Sequence, residues 1–468
     1  MTEESKHDSR RTKHLGVEGR IAIALPVLLL IGVMGPYLPG HSGLRTEQIV
    51  LYAGAFLVIV LSLLKRTYLL MVQILWGIAW LLLLSVSLYA TVMRGDMSSA
   101  AAGLDDFVVP LAVAVVMSYV LSYCRANPQS STHVVAFLCD AVVVTISLNT
   151  FFQVGQVAFG WSKYLGAFWS SSQGWSVAAS AMPQGRYTGV FNEPIEVGVA
   201  MSAALLMLLL ARELRGHRSR DAYPLALLVL GGMLAMTKMV LVGVASIAVV
   251  SIIHWRPGFR KWQLLSWSRM AALLGAVSLS TIALIVWWNH NSAGLGAYLG
   301  SYSAFHGDWL LSLTAGRIGQ GAIGATSNAF KGVSAISTTY GAGFGFIKAV
   351  DSSYVWAYMV GGLIGLVLYA LAWLALVICL NRAARRSGRV TVMRMALAWS
   401  LLVLIGGIGA PVLTINRAST ILWISYWLIY ASTRLDKSEC ADAPRSHGVS
   451  VEQASMANRL TGTRSRFT

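Results

Sequence analysis

Long apolar runs recur along this chain and constrain its fold more than any other feature. Between residues 21 and 433, short polar segments separate about twelve runs, each long enough to cross the roughly 30 Å hydrocarbon core of a bilayer. Backbone polar groups in lipid must bond internally, so runs of this kind predict helices. The chain is 56% hydrophobic and only 12% charged, which excludes an ordinary soluble domain. We therefore expect an all-α polytopic membrane protein with about twelve transmembrane helices.

The predicted boundaries follow the apolar cores of these runs. The cores are residues 21–39, 48–64, 67–92, 105–123, 134–159, 194–211, 223–236, 239–253, 271–288, 353–380, 395–411 and 419–433. A polar interruption at Thr237-Lys238-Met239 separates two short helices, and Pro411 with Asn416-Arg417 separates the last two. Two larger outer loops remain, residues 160–192 and 289–352.

The net charge of +17 reflects membrane topology. Most of the 36 Lys and Arg residues fall in segments that the alternating helices place on one side, which the positive-inside rule identifies as cytoplasmic. Residues 1–20 form a cytoplasmic segment, residues 21–433 the membrane domain, and residues 434–468 a cytoplasmic tail of disordered composition. No small-residue cleavage site follows the first run, which predicts an anchor. No nucleic-acid partner is expected.

The outer loops carry the residues best suited to a site. The first loop combines Ser, Gly and Gln with seven aromatic residues: Trp161, Tyr164, Phe168, Trp169, Trp175, Tyr187 and Phe191. Such a mixture suits either the binding of sugar rings or an interfacial aromatic belt. The second loop contains Gly341, Gly343 and Gly345, whose backbone can approach a ligand closely.

Isolated charges near the outer boundary suggest a lipid-diphosphate site. The cations are Arg186, Lys238, Arg317, Lys348 and Arg417, and the carboxylates are Glu193, Glu196 and Asp351. Arginine suits a diphosphate because its planar fork donates paired, charge-assisted hydrogen bonds. In glycosyl transfer the cations would neutralise the leaving diphosphate, and a carboxylate would accept the proton of the attacking hydroxyl. Glu193 and Glu196 have a simpler interpretation as partners of a helix dipole, and Arg317 as a snorkelling cation.

Several other functional classes lack support in the sequence. No GxxxxGK[ST] loop, HExxH motif or Cys/His cluster is present, so we expect neither a cofactor nor a catalytic metal. A metal-dependent glycosyltransferase using Asp105-Asp106 is one rival interpretation. A secondary transporter or lipid-glycan flippase is another. Transporters commonly carry ionisable groups at the bilayer midplane and show repeated halves, whereas the isolated charges of this chain lie near the outer boundary.

Three short motifs give the chain a resemblance to a known family. They are the R-x-x-G-x-F-x-E-P run from Arg186 to Pro194, the Thr237-Lys238-Met239 interruption, and the block from Arg317 through G-x-G-x-G to DSSY and GGLIG. In their order, and in the order of the apolar segments, the chain resembles the bacterial O-antigen polymerase and ligase superfamily. The resemblance implies a multi-pass protein of the bacterial inner membrane with both termini in the cytoplasm.

The resemblance also implies an activity, substrates and partners. A family-type polymerase moves the growing chain from undecaprenyl diphosphate onto an incoming lipid-linked repeat unit, producing O-antigen or exopolysaccharide. Its partners would be undecaprenyl-diphosphate-linked glycans, membrane lipid, and chain-length regulators or export proteins. Two departures matter: members often show Ser-Arg-Gly in place of Thr237-Lys238-Met239, and ligases typically carry a histidine near the position of Asp351. The absent histidine favours polymerase over ligase.

The resemblance assigns roles to individual residues. Arg186 and Arg317 would hold the diphosphate, with Lys238 and Arg417 assisting from the helix interruptions. Glu193 or Asp351 would act as the base.

Overall fold

The computed structural model describes residues 16–38, 44–64, 74–95, 100–169, 176–253, 325–346 and 352–435. These residues form α-helices joined by turns and short 3-10 segments, and no β-strand occurs among them. Seven of the described helices are long and apolar enough to cross a membrane, and Lys238–Ser251 is a shorter apolar helix. An all-α membrane protein is therefore confirmed. The number of twelve spans stays a prediction.

Eleven of the described helices follow predicted apolar cores, and two shorter ones lie in the segments predicted as outer loops. They are α1 (Val17–Val33), α2 (Thr46–Leu64), α3 (Ile74–Arg94), α4 (Ala100–Ala126), α5 (Pro128–Phe159), α6 (Val177–Ala181), α7 (Pro194–Arg215), α8 (Ala222–Ala235), α9 (Lys238–Ile253), α10 (Ala325–Ile336), α11 (Ser353–Ser387), α12 (Val390–Gly409) and α13 (Asn416–Ser432). The predicted core at 271–288, most of the loop 289–352 with Arg317, Lys348 and Asp351, and the tail from 436 onward lie outside the described residues.

Both predicted interruptions are present. Helix α8 ends at Ala235, Met236 adopts a left-handed conformation with φ of 46°, and α9 begins at Lys238. Helix α12 ends at Gly409 and α13 begins at Asn416. Each interruption turns the chain between two helices.

The helices alternate in direction and define two ends of the bundle. At one end, here called the Arg45 end, α1 finishes and α2, α7, α9, α11 and α13 begin. At the opposite end, here called the Arg215 end, α7 finishes and α8 begins. Among the described helices of 18 residues or more, α7 has the most enclosed apolar window, which is 89% buried. Nearly every residue of α13 is buried as well. Helix α13 packs against α7, and α11 packs along α3.

The glycine-rich segment after α10 packs into a break in α11. At Gly362 the α11 backbone leaves the helical conformation, with φ of 61° and ψ of −150°. The freed N–H groups of Leu363 and Ile364 donate instead to the carbonyls of Thr338 and Thr339, at 3.0 and 3.2 Å. The segment before Gly341 thus satisfies backbone groups that the break would leave unpaired in an apolar region.

We expect Gly362→Ala to lower the free energy of unfolding by about 1–3 kcal/mol, since its backbone conformation is almost restricted to glycine. A Cβ there would also collide with the Thr339 carbonyl group. Thermal unfolding in detergent measures the change. Gly77→Ala on α3 is the matched control, because a Cβ at Gly77 meets no atom within 4 Å. Equal melting temperatures for the two variants would contradict the proposed packing.

Candidate functional site

Arg45 is the centre of a buried charge network at the Arg45 end. Its side chain is only 4% exposed. Nη2 donates to Oδ2 of Asp105 at 2.7 Å, and Nη1 lies 3.1 Å from Oε1 of Glu47. Nη1 also donates to Oδ1 of Asn416 at 3.3 Å. This one guanidinium therefore connects the starts of α2, α4 and α13.

The chain before α2 fixes the position of Arg45. Tyr37 and Arg45 form an isolated antiparallel bridge, and Leu38 N–H donates to the Leu44 carbonyl at 2.9 Å. Burial raises the pKa of the Tyr37 phenol to about 12, so the phenol is protonated at neutral pH. Burial also disfavours the charged form of Arg45, but the carboxylates of Glu47 and Asp105 outweigh it and raise the Arg45 pKa. Arg45 is therefore permanently cationic.

Arg417, in the first turn of α13, is a second buried cation beside the first. Its side chain is fully buried, and its Nε lies 3.9 Å from Oε2 of Glu47. Nη1 donates to the Val190 carbonyl at 2.7 Å, and the guanidinium lies 5.1 Å from the centroid of the Tyr37 ring. Nη2 has no hydrogen-bond partner among the described residues. A buried guanidinium with an unused donor is costly and calls for an explanation.

The R-x-x-G-x-F-x-E-P run lies against Arg417 and is held by amide side chains of α5. Gln153 donates to the Tyr187 carbonyl at 2.7 Å. Gln156 accepts from Gly189 N–H at 2.8 Å, and Asn149 accepts from Val190 N–H at 2.9 Å. Gly189 has φ of 64°, and a Cβ at this residue would overlap the Asn149 side chain. The glycine of the motif is therefore needed for the run to reach α5 and present the Val190 carbonyl to Arg417.

A buried carboxylate at the start of α7 joins the same network. Oε1 of Glu196 accepts from Nδ2 of Asn416 at 2.7 Å, and Oε2 accepts from Asn192 N–H at 3.4 Å. Glu193 is the N-cap residue of α7 and is only partly buried. Two carboxylates thus occupy the first turn of α7, where the helix dipole favours negative charge.

The predicted site residues that the structure describes lie at the same end but on different segments. Arg417 is inside the network. Glu193 lies one turn from Glu196, and Arg186 is partly buried at the start of the motif run. Lys238 is exposed at the start of α9, in an interruption that packs on Gly198. Arg317 and Asp351 lie outside the described residues.

Gly341, Gly343 and Gly345 all have positive φ, as expected for such a loop. These glycines allow the loop backbone to lie close to the backbones of neighbouring helices. A Cβ at Gly341 would lie 2.5 Å from the Gly362 nitrogen, and one at Gly343 would lie 2.5 Å from the Thr91 nitrogen. Arg94 donates to the carbonyls of Ala342, at 2.7 Å, and of Phe344, which secures the loop on α3.

Of the seven aromatic residues of the first loop, two are buried, two are half-buried (Phe168 and Tyr187) and two are exposed, while Trp175 lies outside the described residues. Trp169 and Phe191 are buried, and Trp169 Nε1 donates to the Gly189 carbonyl at 3.1 Å, so both are part of the packing. Trp161 and Tyr164 are exposed, and Nζ of Lys163 lies 4.9 Å from the centre of the Tyr164 ring. Of the described aromatics in the loop, these two are the most exposed, Trp161 at 39% and Tyr164 at 68%.

Both oxygens of the Asp105 carboxylate bind other side chains of the network. Beside its ion pair with Arg45, it accepts a hydrogen bond from the Tyr52 hydroxyl. Among the residues that the structure describes, no group of three or more His, Cys, Asp or Glu side chains is arranged to hold a metal ion.

The network contains residues that the sequence did not single out. Arg45 and Glu47 immediately precede an apolar run, where charged residues are usually assigned to the membrane boundary. The only sequence feature that pointed to these two residues was an Arg-Thr-Glu triplet at the start of a predicted span. Such a triplet does not by itself indicate a functional site. The sequence matches no protein-family model and no curated protein.

Proposed function

We propose that this protein polymerises oligosaccharide repeat units carried on undecaprenyl diphosphate, at the outer face of the bacterial inner membrane. The supporting observation is the buried guanidinium of Arg417, which has an unused Nη2 donor and lies next to the motif run that resembles the polymerase family. A phosphate oxygen is the partner that such a donor suits best.

The two buried arginines supply the electrostatics that the reaction needs. The bond between the donor sugar and its diphosphate breaks, and undecaprenyl diphosphate departs with the electron pair. Negative charge therefore grows on the diphosphate, and preoriented cations stabilise it most effectively where water is excluded. Arg417 binds the diphosphate directly and Arg45 adds a second positive charge beside it. Arg186 and Lys238 extend the cationic surface at this end.

Glu193 is the described carboxylate best placed to act as the base. It accepts the proton of the acceptor hydroxyl while the hydroxyl oxygen forms the new glycosidic bond. Glu196 is already engaged by Asn416 and Asn192, which suits a positioning role. Substrate entry requires the Tyr37 ring, which covers the Arg417 guanidinium, to move aside. Trp161 and Tyr164 offer exposed faces for the sugars.

The size distribution of lipid-diphosphate-linked glycans tests this function directly. In a strain lacking the protein, single repeat units should accumulate on the outer leaflet, and the wild-type gene should restore long chains. Long lipid-linked chains in the deletion strain would instead indicate a ligase. Repeat units confined to the cytoplasmic leaflet would indicate a flippase, and either result would contradict the polymerase proposal.

A further inference from the structure

A second charged cluster lies at the Arg215 end, far along α7 from the proposed site. Arg215 Nε and Nη2 donate to the two carboxylate oxygens of Asp140, both at 2.8 Å, and Nη2 also donates to Asp221 at 2.8 Å. Nε of Arg212 lies 3.6 Å from Oδ2 of Asp221. These bonds join α5, α7 and the turn before α8. They also engage both aspartates.

A cleft of about 610 Å³ opens beside this cluster. Its polar wall includes Arg218, Ser219 and Arg220, and its apolar wall includes Val143, Val144 and Leu208. Arg218 and Arg220 are exposed, and neither forms an ion pair with another described residue. Since Asp140 and Asp221 are already paired with arginines, the cleft carries an uncompensated positive charge.

The cleft opens on the outside of the bundle, beside a helix that is long and apolar enough to span a membrane. Val144 lies on the membrane-spanning helix α5 and is 56% exposed. Tyr223, just after the charged turn, is also exposed, as interfacial anchors usually are. A ligand in this cleft would therefore meet guanidinium groups at the interface and apolar side chains toward the hydrocarbon.

We propose that this cleft binds the headgroup of an anionic phospholipid from the adjacent leaflet. The phosphate lies between the Arg218 and Arg220 guanidinium groups, which can both donate charge-assisted hydrogen bonds to it. The upper part of an acyl chain lies against the exposed side chain of Val144, behind which Val143 and Leu208 are buried. Basic pockets between membrane helices are well suited to such headgroups. A free phosphate would use the arginines but would gain nothing from the apolar wall.

Native mass spectrometry of the full-length protein in detergent tests the proposal, with phosphatidylglycerol and phosphatidylcholine as probes. The wild type should retain one phosphatidylglycerol at least about tenfold more strongly than phosphatidylcholine. Arg218→Ala with Arg220→Ala should abolish that preference. Arg385→Ala with Arg386→Ala is the matched control, because these exposed arginines lie in the last turn of α11 at the same end. The control should keep the preference.

Two further measurements separate the lipid from simpler explanations. Val144→Trp narrows the mouth without changing any charge, so it should also weaken phosphatidylglycerol binding. Inorganic phosphate at the same concentration should not displace the lipid. The proposal is overturned if the wild type retains both lipids equally, or if the control variant also loses its preference for phosphatidylglycerol. It is likewise overturned if Val144→Trp binds phosphatidylglycerol as the wild type does, or if inorganic phosphate displaces the lipid.

Discussion

Replacing Arg417 with lysine should reduce polymer formation by at least about 100-fold, while the protein still accumulates in the membrane. Lysine keeps a positive charge opposite Glu47, so the buried carboxylate stays compensated. An ammonium group lacks the planar fork, however, and cannot bind the Val190 carbonyl and a diphosphate in the same geometry. The measurement is the chain-length ladder of lipid-linked glycan in the complemented deletion strain, with an immunoblot for protein level.

Arg394→Lys is the matched control for this substitution. Arg394 is also a buried arginine, with 8% exposure, but it lies near the start of α12 at the Arg215 end. Its substitution should leave the ladder unchanged. A normal ladder with Arg417→Lys would remove Arg417 from the site and, with it, the observation that supports the polymerase proposal. A loss in both variants would mean that the effect is a general cost of replacing buried arginine.

The helices that follow apolar runs could be predicted from the sequence because the length of each run determines them. The short helices α6 and α10 lie in the segments predicted as outer loops and were not predicted. The interruption at Thr237 and the start of α13 at Asn416 were also predictable, since polar residues break apolar runs there. The first turn of α7 followed from Pro194, which suits the N1 position of a helix. Each of these features is determined by residues that lie close together in the sequence.

The charge network could not be predicted because it depends on distant pairs. Arg45 reaches Asp105 across 60 residues and Asn416 across 371. Only the packing of α2, α4 and α13 brings these groups together. The glycine series illustrates the same difficulty: its positive φ values were predictable, but the surface that it approaches is the backbone of α3 and α11.

Replacing Arg45 with alanine should lower the free energy of unfolding by about 3–5 kcal/mol, because it leaves Glu47 and Asp105 without their shared partner. Glu47 is almost fully buried, so water cannot compensate for the lost ion pair. Thermal or denaturant unfolding at fixed detergent concentration measures the change. Arg382→Ala, at an exposed position on α11, is the control and should stay within about 0.5 kcal/mol of the wild type. Equal effects in the two variants would contradict a stabilising network.

A compensated variant separates the stabilising role of Arg45 from a role in the reaction. Combining Arg45→Ala with Asp105→Asn removes the arginine together with one of its two carboxylate partners, and Glu47 keeps Arg417 as its buried cation, so much of the lost stability should return. If polymer formation returns as well, Arg45 serves only to hold the helix ends together. If the protein is stable but makes no polymer, the positive charge at Arg45 acts on the diphosphate beside Arg417, as the proposed function requires.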